Sequence, residues 1–193
     1  MTRVVAGRAK GRTLKVPASG TRPTSERVRE AMFSSLEHRG FIDGCEVLDL
    51  YAGSGALGIE AASRGAIYVE CVESAPKAAA LIRQNAVDLP VVVTNQKAET
   101  WVKLPANRAY DLAFLDPPYD LPENKLTEVL EGLLPHLAHD AAIVVERSSR
   151  SPEPTWPAGM ELTSEKKWGD TRAWTGQVTQ HPSVNNRVTD TSQ

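Results

Sequence analysis

The sequence predicts an α/β protein built on a doubly wound, mainly parallel sheet, and three observations carry that prediction. Short apolar runs alternate with amphipathic stretches from Cys45 to Glu146, the pattern of repeated β-α units. A glycine-rich turn, Gly53-Ser54-Gly55-Ala56-Leu57-Gly58, separates the first of these runs from the first of these helices. A later run, Tyr110 to Leu115, is stopped by Asp116-Pro117-Pro118-Tyr119. Proline cannot donate to a ladder and restricts its predecessor, so the chain must turn out of the sheet there, at the edge where open α/β sheets bind ligands.

In chain order, Arg3 to Gly7 and Arg12 to Val16 are β-rich and flank Arg8-Ala9-Lys10-Gly11, which predicts a hairpin with a basic tip. A helix is expected from Thr24 or Ser25, with hydroxyl caps, Glu26 in its first turn, and Val28, Met32 and Leu36 on one face. Cys45 to Leu50, Ala66 to Val72, Val91 to Val93 and Tyr110 to Leu115 read as the first four strands of the main sheet. Helices are expected up to about Arg64, from Pro76 to Val87 and from Glu123 to Leu134, with a short helix or turn from Lys97 to Val102. Ala141 to Glu146 is a further buried strand, and Met160 to Trp168 with Thr171 to Thr179 predicts a closing antiparallel hairpin around Gly169-Asp170. The expected organisation is thus a basic hairpin and loop over residues 1–23, a main domain over 24–180 and a disordered polar tail over 181–193.

The 193 residues suit one ordinary domain. No run approaches the roughly 20 apolar residues of a membrane span, and the N-terminus lacks an apolar signal region. The chain is therefore expected to be cytoplasmic, with no membrane partner. Cys45 and Cys71 fall in or beside predicted strands and read as core residues. His38, His136, His139 and His181 are scattered, so no metal site is expected. The net charge of −2 hides an asymmetry: residues 1–39 carry nine Lys or Arg against three Glu, a local +6 that leaves −8 for the rest. Such a basic segment is an electrostatic footprint for a polyanion.

The glycine turn satisfies G-x-G-x-x-G between strand and helix, and Glu73 follows Gly53 by twenty residues, placed to accept from two ribose hydroxyls. On its own this grammar suits a nicotinamide enzyme as well as a methyltransferase. Asp49 favours the second, because a carboxylate near the end of the first main strand attracts an ammonium or sulfonium charge and repels a pyrophosphate. Asp116 to Tyr119 combines an acid, unpaired carbonyls and an aromatic ring, the groups needed to hold a flat nucleobase bearing an exocyclic amine.

With Arg3-Val4-Val5-Ala6-Gly7, Gly11-Arg12, Arg22-Pro23-Thr24, Arg27-Val28-Arg29-Glu30, the stretch Asp49 to Ala61 and Asp116-Pro117-Pro118-Tyr119 together, the chain resembles the bacterial 16S ribosomal RNA (guanine(966)-N(2))-methyltransferase family over about residues 2 to 180. That resemblance implies a Rossmann-like class I methyltransferase fold and S-adenosylmethionine as methyl donor, with no metal. It places Asp49, Tyr51, Gly53, Gly55, Glu73, Ser74 and Ala98 at the cofactor and Asp116, Pro117, Pro118 and Tyr119 at the guanine. Arg3, Arg8, Lys10, Arg12, Lys15 and Arg22 would dock RNA. The implied partner of a monomeric enzyme is 16S ribosomal RNA, within an assembled or assembling small subunit. The residues alone specify only an amine on a planar base, which leaves a DNA adenine-N6 methyltransferase as the alternative, ahead of a nicotinamide oxidoreductase or a non-catalytic RNA-binding module.

Overall fold

The computed structural model describes residues 2–18 and 24–180. Its elements in order are β1 (Thr2–Arg3), β2 (Thr13–Leu14), α1 (Glu26–His38), β3 (Glu46–Leu50), α2 (Ala56–Ser63), β4 (Tyr68–Glu73), α3 (Pro76–Asn85), β5 (Val91–Asn95), α4 (Ala98–Trp101), β6 (Tyr110–Leu115), α5 (Glu123–Leu133), β7 (Leu137–Ser148), β8 (Met160–Trp168) and β9 (Thr171–Val178). The seven-stranded sheet has the order β5-β4-β3-β6-β7-β9-β8. Its first five strands are parallel, and β9 and β8 close it antiparallel. The expected mainly parallel sheet with a C-terminal hairpin is therefore the architecture found.

Strand order reverses between β3 and β6, since the chain leaves β3 toward β4 on one side and returns to β6 on the other. A crevice opens outside the strand ends at such a switch point. The register Asp49↔Phe114 and Leu50↔Leu115 places Asp49 and Asp116 on opposite flanks of it.

Each face of the sheet is covered because its strands alternate side chains with period two. On one face Val47, Phe114 and Val144 pack with Phe33 and Leu36 of α1, Ile59 of α2 and Ile82 of α3. On the other, Leu48, Leu50, Leu115, Ile143 and Val145 pack with Trp101 of α4 and Leu126, Val129, Leu130 and Leu133 of α5. Phe33 and Phe114 meet with ring centroids 5.4 Å apart, and each such fully buried ring contributes about 1.5–3 kcal/mol. Helix α1 starts where its cap predicts, with the Ser25 hydroxyl accepting from the Val28 amide.

The N-terminal hairpin is shorter than its sequence suggests. Only Thr2↔Leu14 and Arg3↔Thr13 pair as strands, because the Val5 and Ala6 amides are drawn instead to the Glu60 carboxylate on α2, at 2.9 and 3.1 Å. The turn that follows is sealed onto the sheet domain: Ser63 Oγ accepts from the Ala9 amide and donates to the Ala6 carbonyl, and Val4, Ala9 and Leu14 join the core of the α1 face. Helix α3 stops at Asn85 rather than Val87, since the Asn85 side chain is spent on the Lys15 backbone and the Ser54 carbonyl. Strand β4 begins at Tyr68 rather than Ala66, whose amide closes α2 by donating to Ala61. Cys71 is fully buried, whereas Cys45 lies half-buried at the domain edge. The predicted tail, His181 to Gln193, lies outside the described residues. Among the described residues no helix is long and apolar enough to cross a membrane.

Candidate active site

Two adjoining cavities lie at the switch point. The larger, of about 1440 Å³, is walled by Tyr51, Gly53, Glu73, Ser74, Lys97, Glu99, Asp116 and Pro118, with Lys125 and Val129 of α5 across from them. The smaller, of about 50 Å³, lies deeper, between Asp49, Tyr51, Gly53, Ser54, Asp116 and Thr24. Pro17 lines both, so the segment before α1 forms part of the site as well as part of the fold.

The glycine turn builds the cradle. Gly53, at φ 59°, turns its amide onto Glu73 Oε1 at 2.9 Å, while Glu73 Oε2 accepts from the Ala75 amide at 2.9 Å. The carboxylate at the end of β4 is thereby oriented toward the larger cavity, and each oxygen keeps a lone pair for a ligand hydroxyl. Gly55, expected at the cofactor, lines neither cavity. Its left-handed φ of 79° and the Ile82 Cγ2 that a Cβ would meet at 2.9 Å make it a packing glycine at the start of α2. Ala98 is likewise buried in the core under α4, while its neighbours Lys97 and Glu99 form the wall. Tyr51, also at positive φ, donates its hydroxyl to Glu99 at 2.8 Å and so ties the cradle to α4; burial and that acid hold its phenol protonated.

Asp49 is 1% exposed and accepts from the Gly58 amide at 2.9 Å. Gly58 must be glycine for this approach, since a Cβ would come within 2.7 Å of Cys71 Sγ. The bond occupies an amide in the first turn of α2, where a dinucleotide's pyrophosphate would otherwise be held. Burial pushes the Asp49 carboxyl up to about 8, against the lowering effect of Gly58, with Glu73 and Glu146 adding to the rise.

Asp116 stands one residue beyond β6 and touches both cavities. Burial raises its carboxyl well above the usual carboxylate range, the negative charges of Glu146 and Asp49 raise it further, and Arg147 only partly opposes them. Pro117 is buried, Pro118 forms cavity wall, and Tyr119 is 72% exposed beside the mouth. Sequence reasoning missed Glu146, which ends the apolar part of β7 and is raised by burial. The available signal was positional: Asp49, Glu73, Asp116 and Glu146 each stand at or just past the C-terminal end of a central parallel strand. It also missed Pro17, Ala18 and Thr24 as parts of the site. Among the described residues no cluster of three or more His, Cys, Asp or Glu is arranged to hold a metal ion.

The basic residues divide by partner. Arg12 donates to the carbonyls of Asn85 and Val87, at 3.1 and 2.8 Å, and caps the end of α3. Arg3 pairs with Glu26 at 3.4 Å, Arg8 reaches the Asp88 carbonyl at 3.5 Å, and Lys15 donates to Gln84 at 3.2 Å, all at the surface. Lys10 is exposed at the turn. Arg22 lies outside the described residues.

Known proteins match this chain along most of its length. It is 35% identical over 174 residues to the Ribosomal RNA small subunit methyltransferase D of Escherichia coli (strain K12), covering 86% of this chain and 85% of that one. The protein of the same name from Haemophilus influenzae is 36% identical over 176 residues, covering 86% and 89%. The solved structure of the Escherichia coli protein yhhF is 31% identical and superposes with a TM-score of 0.80, over 92% of this chain and 97% of that one. The fold is that of the Rossmann-like class I methyltransferases. The family model described as Conserved hypothetical protein 95 matches residues 2–177, and the chain belongs to that family.

Proposed function

We propose that this protein transfers the methyl group of S-adenosylmethionine to the exocyclic N2 amine of a guanine in small-subunit ribosomal RNA. The observation that carries this reading is the acidic floor of the crevice. Asp49 and Asp116 line the small cavity, the first buried and the second half-buried, and Glu146 is buried beside them against Thr24; their carboxyls are raised, and none forms an ion pair among the described residues. Such a floor disfavours a pyrophosphate and favours a cationic ligand. The names of the relatives, small-subunit ribosomal RNA methyltransferases, supply the substrate class.

In this reading S-adenosylmethionine, when bound, supplies an electrophilic methyl on a positively charged sulfur. Asp49 attracts that positive end, and Glu73 accepts from the ribose hydroxyls. Tyr51, Gly53 and Ser74 line the path, and Lys97 and Glu99 flank the adenine side. The guanine amine is a weak nucleophile because its lone pair is delocalised into the ring. Asp116 and the Pro117 carbonyl accept its hydrogens and turn the lone pair toward the methyl carbon, while Tyr119 stacks on the base. A nitrogen–carbon bond forms as the carbon–sulfur bond breaks, and the amine, held in orientation by Asp116, then releases one proton to water. Arg3, Arg8, Lys10 and Lys15 edge the face that meets RNA phosphates, with Arg22 assigned to the same role from sequence. The enzyme acts in the cytoplasm as a monomer, on an assembled or assembling small subunit.

The test is methyl transfer from labelled S-adenosylmethionine to small subunits that lack their native modification, followed by nucleoside analysis. N2-methylguanosine at one site is the expected product. Label in DNA, or no label in RNA from a protein that binds the cofactor, overturns the assignment.

A further inference from the structure

Glu146 is unusual for a carboxylate that is only 7% exposed: among the described residues its one hydrogen-bonded partner is a single hydroxyl. Thr24 Oγ1 donates to it from 2.8 Å of one oxygen and 2.9 Å of the other. One proton shared between two oxygens leaves most of the carboxylate's acceptor capacity unused. Buried polar groups are ordinarily satisfied, so a group left this short marks a place for a ligand donor. The direction of that donor follows from the strands. The register Leu115↔Val145 is the last pair between β6 and β7, two strands about 4.8 Å apart, and Asp116 and Glu146 are the residues that follow it on each. Both follow, by two residues, the Phe114 and Val144 that face α1, and Thr24 lines the small cavity together with Asp49 and Asp116, with Glu146 directly behind it on the Thr24 hydroxyl.

Two carboxylates side by side require a base edge with two neighbouring donors. Guanine has this edge, with N1–H beside the N2 amine. Adenine does not, because beside its N6 amine stands the bare N1 lone pair. We infer that Glu146, held by Thr24, is a specificity-determining residue that accepts the guanine N1–H while Asp116 and the Pro117 carbonyl accept the amine, so that the Asp116–Glu146 pair selects guanine over other amino-bearing bases. The inference rests on the proposed guanine-N2 reaction and names the residue that makes it guanine-specific. A base presenting N1 as an acceptor brings its lone pair against the Glu146 carboxylate and leaves a buried acid unpaired, an arrangement that sites use to discriminate strongly.

The experiment uses the full chain and small subunits reconstituted with the target nucleotide as guanine or as 2-aminopurine, which keeps the 2-amino group but offers N1 as an acceptor. Wild type is expected to prefer guanine by tenfold or more in kcat/KM. Glu146→Gln, whose amide donates as well as accepts, is expected to narrow that ratio at least tenfold. Thr24→Val frees the carboxylate from its tether and is expected to narrow the ratio by less. Equal use of the two bases by wild type overturns the inference and leaves the methyl-transfer reading intact, as does an unchanged ratio in Glu146→Gln. A wild type that methylates neither base overturns the function reading itself. Because the wild-type ratio needs no substitution, the test survives a variant that fails to fold.

Discussion

Two buried acidic groups in this molecule are built to opposite plans. Glu60, on α2, is completely buried and every part of its carboxylate is used: it accepts the Val5 and Ala6 amides, pairs with Arg29 at 3.4 Å and with Arg64 at 2.9 Å. Toward the ends of β3, β6 and β7, Asp49 and Glu146 are buried and Asp116 is half-buried, yet among the described residues they are reached by one amide and one hydroxyl. The first arrangement is closed, and its charges are matched within the chain. The second is open, and burial disfavours its negative charge until a cation or a set of donors arrives. Burial alone therefore does not distinguish a structural acid from a functional one, whereas the inventory of partners does.

The largest test of the closed group is Glu60→Ala. It strands the buried Arg29 guanidinium and two backbone amides, so stability should fall by about 3–5 kcal/mol, the usual cost of breaking a buried pair. Denaturant unfolding measures this, and a loss below about 1 kcal/mol would place Glu60 with the open group instead. For Asp116→Ala the expectation is reversed. Methyl transfer should drop by about 10²–10⁴-fold, while stability is kept or improved and cofactor binding persists, as isothermal titration would record.

Asp49 gives the comparison a pH signature. Its folded carboxyl is raised from the ordinary value to about 8, so the unliganded protein binds a proton there that the unfolded chain has already lost. That contribution to stability is fully present below about pH 4 and disappears as pH rises through about 8. Asp49→Asn removes the titration. At pH 8.5 the unliganded variant should be more stable than wild type by up to several kcal/mol, each unit of the rise from the ordinary carboxylate value to about 8 being worth about 1.4 kcal/mol. It should also bind S-adenosylmethionine at least tenfold more weakly. Melting curves at pH 4 and pH 8.5 decide the point: an equal difference at both values means that Asp49 acts through packing.

These contrasts also mark what was legible in the sequence. The β-α alternation, the glycine turn and the Asp-Pro-Pro stop specify the sheet, its switch point and the acid at its edge, because each is a local pattern with a local cause. Glu146 was hidden by its context, since Ala141 to Glu146 reads simply as a buried strand that ends in an acid. Its meaning depends on Asp116 standing beside it, which only strand order reveals. Arg29 misled in the other direction. It counts toward the basic charge of residues 1–39 but is 0% exposed, and it shares a helix face with Met32, Phe33 and Leu36. Its i, i+3, i+4, i+7 spacing with those residues was the available signal. The hairpin was over-extended for the same reason, since the competing acceptor, Glu60, lies more than fifty residues away in sequence.

The smallest expected effects come from the basic N-terminal segment, where two charges stand two residues apart, only one of them with a hydrogen-bonded partner among the described residues. Arg12 caps two carbonyls at the end of α3, while Lys10 is exposed at the turn between β1 and β2. Arg12→Ala should therefore cost about 0.5–1.5 kcal/mol of stability, the net value of a typical intramolecular hydrogen bond, with little change in the salt dependence of RNA binding. Lys10→Ala should leave the unfolding curve where it is and reduce the slope of log affinity against log salt by about one, the signature of one lost phosphate contact. If the two variants exchange these signatures, the cap on α3 is dispensable and Arg12 faces the RNA. If neither changes the slope, the basic segment serves to staple the N-terminus onto α2 and α3, and the positive charge that meets RNA lies elsewhere on the rim of the crevice.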